Sequence, residues 1–106
     1  MITMEQTKDV KYSVIAVSAT GTIVSGVVGK RIVVLAYTLI ANGTVNVKFQ
    51  SDSTDISGLL YLIANVGASP AQGMFGQFAT LKGGDLNLNL SDSIAVGGHL
   101  TYLIID

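Results

Sequence analysis

The sequence has no cysteine, no tryptophan, a single proline and a single histidine. The lack of cysteine excludes disulfides, thiolate catalysis and cysteine-ligated metals. Charged residues make up 12% of the 106 residues, about half the roughly 25% of an ordinary soluble protein. Six basic and seven acidic residues give a net charge of −1. Since this leaves no basic field for a phosphate backbone, we do not expect nucleic acid as a partner.

The chain also lacks a long uninterrupted apolar run. A membrane helix needs about 20 apolar residues, and the longest candidate, 32–41, reaches half of that length. Residues 1–9 are polar and mixed in charge, unlike a secretory signal. We therefore expect no membrane partner and synthesis in a cytoplasm. Residues 1–10 are predicted to form a flexible N-terminal arm ahead of one domain, 11–106.

Apolar residues, by contrast, are abundant at 49%, and 12 glycines punctuate the chain at short intervals. Valine, isoleucine, threonine and tyrosine favour a pleated surface. About eight strands at this spacing are typical of an all-β fold, an antiparallel β-sandwich or jelly roll. The predicted strands are 12–18, 22–25, 31–41, 44–50, 59–64, 77–80, 85–91 and 99–105.

Two connections are predicted from turn residues. Asn42-Gly43 indicates a two-residue hairpin, because both central residues of a type I′ turn need positive φ. Residues 65–76 are rich in small residues, contain Pro70, and are predicted to form the longest loop.

Three runs, 32–41, 59–64 and 100–105, are apolar on both faces. A small antiparallel sandwich buries one face of each sheet, so its strands should alternate apolar and polar residues. Excess apolar faces mark an interface, and we therefore expect a homo-oligomer of cyclic symmetry. The residues predicted to line the subunit interface are Val33, Leu35, Tyr37, Leu39, Leu60, Leu62, His99, Leu103 and Ile105.

Motifs for chemistry are weak. The loop 26–31 departs from a phosphate-binding loop at both ends, which favours a plain turn with a basic tip. Asp52 and Asp55 lack the spacing of a calcium loop and favour an acidic turn. His99 is the single imidazole and has no identifiable partner, which favours strand-edge or interface packing over a general base. A symmetry axis could still gather several copies of His99. We expect no enzyme activity, no metal and no cofactor, and rank a His99-dependent enzyme last.

Three groups of residues carry a resemblance: GKRIVVL at 29–35, TVNVKFQS and TDISG between 44 and 58, and LNLNL with VGGHLTY between 86 and 102. Together they resemble small virion proteins of tailed bacteriophages, and specifically capsid decoration (cement) proteins. The resemblance implies a homotrimeric β-sandwich that binds the major capsid protein and stabilises the shell. It also implies a place on the outer capsid surface after assembly in the host cytoplasm.

By analogy with that family, the N-terminal arm contacts the shell. Two basic residues after the first glycine loop would add electrostatic attraction to an acidic shell surface. The residues predicted to contact the capsid are Met1, Ile2, Met4, Lys8, Val10, Lys30 and Arg31. The alternative function is a phage fibre, spike or tail domain that binds host glycan. Loops 51–55 and 65–76 would then form the site, with Tyr61 or Phe75 as a stacking platform.

Overall fold

Short β-branched and apolar runs separated by turns produce ten strands in a computed structural model, which describes residues 10–65, 67–68 and 76–106. Residues 1–9 of the predicted arm therefore lie outside the described part. The strands are β1 (Lys11–Val17), β2 (Gly21–Val24), β3 (Arg31–Ala41), β4 (Val45–Ser51), β5 (Thr54–Asp55), β6 (Leu60–Leu62), β7 (Gly67–Ala68), β8 (Phe78–Ala79), β9 (Leu86–Leu90) and β10 (Val96–Ile105).

The strands form two five-stranded antiparallel sheets. Sheet A has the order β1-β10-β3-β7, with β8 also on β3, and sheet B has the order β2-β9-β4-β5, with β6 also on β4. The pairs β1 with β10, β2 with β9, β3 with β7 and β8, and β4 with β5 and β6 are nested, as in a long hairpin rolled into two sheets. This is the jelly-roll arrangement. The predicted all-β antiparallel sandwich is confirmed.

The main core lies between the two sheets. In β4 and β9, buried and half-buried residues alternate because successive side chains point to opposite faces of a strand. Phe49 is fully buried, and its ring centroid lies 5.0 Å from that of Tyr37 and 4.8 Å from that of Phe78. Burying a side chain of this size stabilises the fold by about 1.5–3 kcal/mol. The three rings join sheet A to sheet B.

The Asn42-Gly43 hairpin prediction is wrong. β3 ends at Ala41 in sheet A, whereas β4 begins at Val45 in sheet B, and the two strands do not pair. Neither Asn42 nor Gly43 is among the positive-φ residues, so the type I′ geometry is absent from this connection. The connection instead crosses between the sheets, because the apolar faces of β3 and β4 meet across the core.

A β-bulge interrupts the long pairing of β3 with β10. Thr101 lies opposite Ala36, but the next residue, Tyr102, lies opposite Val34, so Leu35 is the extra residue on β3. The inward face of β3 changes parity at this point. Before the bulge even-numbered residues enter the main core, and after it odd-numbered ones do. Val33, Leu35, Tyr37 and Leu39 were all predicted to line one subunit interface, but they do not share one face of β3.

The outward residues before the bulge form a second small core. Val33, Leu35 and Leu103 are buried together, with Ala79 and Ile105 packed against them. Leu35 is 1% exposed within a single chain. Both apolar faces of 32–35 and 103–105 are thus largely buried within one chain. The expectation that these apolar faces stay uncovered in one chain is wrong for this half of β3 and β10.

Gly98 is a position where only glycine fits. Its φ is +144°, and an added Cβ would collide with the carbonyl oxygen of Thr38 on the neighbouring strand. Its neighbour Gly97 has an ordinary φ, and a Cβ there would lie 3.8 Å from its nearest atom, the carbonyl oxygen of Ile15. These adjacent glycines make a matched pair.

We expect Gly98→Ala to lower the free energy of unfolding by about 3 kcal/mol or more, from backbone strain and overpacking together. Gly97→Ala should change it by less than about 1 kcal/mol. Urea denaturation measures both as shifts of the midpoint at constant slope. Equal midpoints for the two variants would contradict the close approach of β10 to β3.

Candidate functional site

The described residues contain no group of three or more His, Asp or Glu side chains placed to hold a metal ion. Within the same residues, no helix is long and apolar enough to cross a membrane. His99 is exposed on β10 and lies opposite Val14 of β1 and Thr38 of β3. Neither neighbour is an acid or a base. His99 therefore sits in an uncharged sheet surface.

The acidic loop after β4 is a structural turn. Asp52 adopts a left-handed conformation with φ 53°. Its carboxylate accepts a hydrogen bond from the backbone N–H of Asp85 at 3.0 Å, and its carbonyl accepts one from the side-chain amide of Asn87 at 2.7 Å. These bonds fasten the turn to the start of β9. They match the acidic-turn interpretation of the sequence.

Asp55 is engaged as well. Its carboxylate accepts hydrogen bonds from the side chains of Gln50, at 2.8 Å, and Lys48, at 3.1 Å. The hydrogen bond from Gln50 is the largest cause that lowers the pKa of Asp55. The hydrogen bond from Lys48 and then the positive charge of Lys48 lower it further. Both donors stabilise the ionised carboxylate, so this charge holds β5 onto β4.

The loop 26–31 has no phosphate cradle. The backbone N–H of Gly26, which would face an anion, donates instead to the carboxylate of Asp85 at 2.6 Å. The loop closes in a turn, with the N–H of Lys30 donating to the carbonyl of Val27 at 3.0 Å. A strand, β3, follows it rather than a helix. The plain-turn interpretation agrees with this geometry.

A second turn lies beside the first. The N–H of Gly84 donates to the carbonyl of Leu81 at 3.0 Å, and the N–H of Gly83 donates to the carbonyl of Lys30 at 2.8 Å. We call residues 27–30 and 81–84 the paired turns. They carry exposed apolar side chains at their tips, and Val28 is 96% exposed. Apolar tips on a polar scaffold are candidates for contact with another molecule.

Three predicted capsid-contact residues lie at the end of the sandwich that carries the paired turns. Lys30 belongs to the first turn, and Arg31 begins β3 opposite Ile105. Val10 is exposed and precedes β1, whose first residue lies opposite Tyr102 near the end of β10. The remaining predicted residues, Met1, Ile2, Met4 and Lys8, lie outside the described part of the chain.

The charges at this end are partly paired. Lys30 Nζ lies 2.6 Å from a carboxylate oxygen of Asp106, and both side chains are substantially exposed. The hydrogen bond from Lys30, then its charge and that of Lys82, lowers the pKa of Asp106. Arg31 has no ion-pair partner among the described residues. Its guanidinium is thus available to an acidic surface.

The predicted interface residues are scattered by the fold. His99 is exposed, whereas Tyr37, Leu60 and Ile105 are half-buried. The other predicted residues are buried within a single chain, so they have almost no exposed area with which to contact another copy. Those buried residues are Val33, Leu35, Leu39, Leu62 and Leu103.

In β3 beyond the bulge and in β6, the exposed residues are instead those that alternate with the predicted ones along the strand. We call the outward side chains of β1, β10 and β3 beyond the bulge the sheet A face. They form three cross-strand rows without a charged residue: Tyr12–Thr101–Ala36, Val14–His99–Thr38 and Ala16–Gly97–Ile40. Tyr12 is 75% exposed. Among apolar residues of β6 and its flanks, Leu59, Tyr61 and Ile63 are exposed, and we call these three the β6 strip.

One open groove adjoins the sheet A face. It has a volume of about 500 Å³ and shares Ala16, Gly97 and Ile40 with the last row of that face. Asn42 and Asn65 add amide groups to its rim. No ionisable side chain lines this groove. Its chemistry suits an uncharged, largely apolar group.

Sequence reasoning missed the paired turns and the part of the sheet A face on β1, and it named Tyr61 of the β6 strip only as a platform for glycan stacking. A signal for the turns was present, since Val27-Val28 stands between two glycines in a loop. For β6 the run was recognised, but the inward residues were chosen in place of the outward ones. Comparisons with protein-family models, curated proteins and solved structures find no match to this chain.

The Asp55 geometry predicts a specific pH dependence. Because its pKa is lowered in the folded state, the stabilisation is present above the unfolded-state pKa of about 3.9 and is lost as the pH falls through the folded-state value. Wild type should therefore lose stability relative to Asp55→Asn as the pH is lowered below about 4. Thermal unfolding across this range measures the difference.

Lys48→Gln is the control for that measurement. It removes the cation but keeps the hydrogen bond from Gln50 to Asp55. In the Lys48→Gln background, the loss of stability at low pH relative to Asp55→Asn should therefore be smaller but still present. Parallel pH profiles for wild type and Asp55→Asn would show that the carboxylate is not held in the folded state.

Proposed function

We propose that this protein is a structural virion protein, a capsid decoration (cement) protein that binds the outer surface of a phage head as a homotrimer. The observation that carries this proposal is the location of Val10, Lys30, Arg31 and the apolar tips of the paired turns at the same end of the sandwich. Val10, Lys30 and Arg31 are the described residues predicted from the sequence to contact the capsid. An end that combines apolar tips with cations suits a protein surface carrying apolar pockets and carboxylates.

The paired turns are suited to repeated attachment. A backbone hydrogen bond from Gly83 to Lys30 ties the two turns to each other, and one from Gly26 to the Asp85 carboxylate ties the residues that flank them. A held tip loses less conformational freedom on binding than a free loop does. Each contact is small, but several identical subunits acting together multiply the attachment. Attachment of this kind would bridge neighbouring shell proteins and resist outward pressure from packaged DNA.

The alternative is a fibre, spike or tail domain that binds host glycan. One observation favours it: Tyr61 is 75% exposed and lies opposite Asn46 on the polar outer surface of sheet B. An aromatic ring beside an amide can stack on a sugar while the amide hydrogen-bonds its hydroxyls. Phe75 and most of loop 65–76 lie outside the described residues. Hundreds of copies per virion support decoration, and a handful supports the alternative.

We expect Val28→Asp to weaken binding of the purified protein to decoration-free phage heads by at least tenfold. The added carboxylate would be desolvated in the contact and would oppose the acidic groups that Arg31 is proposed to meet. Co-sedimentation of protein with heads measures the loss. The oligomeric mass in solution should be unchanged, because Val28 belongs to neither the sheet A face nor the β6 strip.

Ser93→Asp is the matched control. It adds the same charge to an exposed loop at the opposite end of the sandwich, between β9 and β10. It should bind heads like wild type. Equal binding by Val28→Asp and wild type would exclude the paired turns from the shell contact, and no binding by wild type would reject the decoration role.

A further inference from the structure

We propose that copies of this chain associate head to tail, with the β6 strip of one copy seated on the sheet A face and in the adjoining groove of the next. This inference deepens the proposed homotrimer and rests on it for the number of copies. The two surfaces are the main exposed apolar areas outside the paired turns. The partner that fits them is a second copy of this chain.

The sheet A face is broad and low. Its groove-side row is the lowest, with Ala16 and Gly97 beside Ile40, and its central row carries Val14 and His99. Its rim is higher where Tyr12 projects from β1. Strands in a sheet lie about 4.8 Å apart, so the three strands present a surface roughly 10 Å wide. The groove of about 500 Å³ opens beside the low row.

The β6 strip has the opposite shape. It is a narrow ridge along a short strand at one edge of sheet B, and Tyr61 projects from its middle. Polar residues border the ridge, with Asn46 directly opposite Tyr61 and the Lys48–Asp55 ion pair further along β4. An apolar centre with a polar rim is the usual anatomy of a protein interface.

The shapes and charges of the two surfaces are complementary. A ridge with one projecting ring fits a low face that ends in a groove, and the groove is large enough for a tyrosine side chain. Tyr61 would place its ring against Ala16 and Ile40, while its hydroxyl reaches the rim amides of Asn42 and Asn65. Neither surface contains a charged side chain, so joining them buries no unpaired charge.

The areas also agree with a specific contact. Taking about 200 Å² for a fully exposed large side chain, the six exposed residues of the two surfaces offer roughly 700 Å² of apolar area. A specific interface of about 1,200 Å² with an apolar share of about 56–58% needs a similar amount. The six residues are Tyr12, Val14, Ile40, Leu59, Tyr61 and Ile63.

Head-to-tail pairing is the arrangement that covers both surfaces at once. The sheet A face lies on the outside of one sheet and the β6 strip at an edge of the other, so neither can cover the other within one chain. A twofold contact of either surface with itself leaves the second one exposed, whereas a reciprocal twofold contact would cover both but give only two copies. A heterologous contact repeated around a ring uses both surfaces of every copy.

The test uses two exposed positions in the full chain. Val14→Asp charges the sheet A face, and Tyr61→Asp charges the β6 strip. Light scattering should give wild type three times the 11.0 kDa chain mass and each variant the single-chain mass. Thr22→Asp, on the outer surface of sheet B away from both contact surfaces, should keep the wild-type mass. The milder Val14→Ser and Tyr61→Ser should show the same pattern if either aspartate prevents folding.

Mixing the two charged variants decides the geometry. Each variant retains the surface that the other has lost, so an equimolar mixture should form a two-chain species that neither forms alone. A twofold contact of one surface with itself predicts instead that one variant keeps the wild-type mass, and a reciprocal twofold contact predicts a wild type of two chain masses. Either of those results, or a mixture that stays at the single-chain mass, would overturn the proposal. Loss of head binding with the oligomer intact would bear on the decoration role alone.

Discussion

The pairing of β3 with β10 is the interaction on which the rest of the structure depends. These are the two longest strands, and their register runs from Ala41 opposite Val96 to Arg31 opposite Ile105. The pair lies in the centre of sheet A and supplies residues to the main core, to the second core and to the exposed sheet A face. A single bulge at Leu35 separates these uses. It allows one pair of strands to be apolar on both sides without exposing both sides along its whole length.

Much of the fold could be predicted from period-two alternation. β4 and β9 follow it closely, because each has one face in the core and one in water. The parity change in β3 could not be predicted in this way, since an extra residue on one strand is defined only against its partner. The same holds for Asn42-Gly43. Turn residues indicate that the chain reverses, but they do not tell whether the returning strand joins the same sheet or the facing one.

The candidate surfaces were predicted less well, for a related physical reason. A run that is apolar on both faces indicates that both faces of the strand are covered, but it does not indicate which face packs into the core of its own chain. In β6 the inward residues Leu60 and Leu62 pack towards the core, which leaves Tyr61 outside. In β3 the second core covers Val33 and Leu35. Much of the exposed apolar area of sheet A therefore lies on β1, which was not among the three long apolar runs.

The two outer surfaces of the sandwich consequently differ in chemistry. Sheet A presents alanine, threonine, valine and tyrosine without a formal charge, whereas sheet B presents amides and an ion pair. Sheet A therefore offers an uncharged outer surface, whereas sheet B carries the exposed β6 strip at its edge beside polar and charged residues. The paired turns lie at one end of the sandwich and share no residue with the sheet A face or the β6 strip.

Nested pairing has a consequence for how the protein is made. β10 is the last of the ten strands, yet it lies between β1 and β3 in sheet A. During synthesis, the edges of β1 and β3 that face β10 stay unpaired until it is made, and closing so large a loop late makes folding slow. The broad surface proposed to receive a neighbouring copy does not exist before that strand is inserted. The proposed association between copies would thus be open only to finished chains, because the topology completes this surface last.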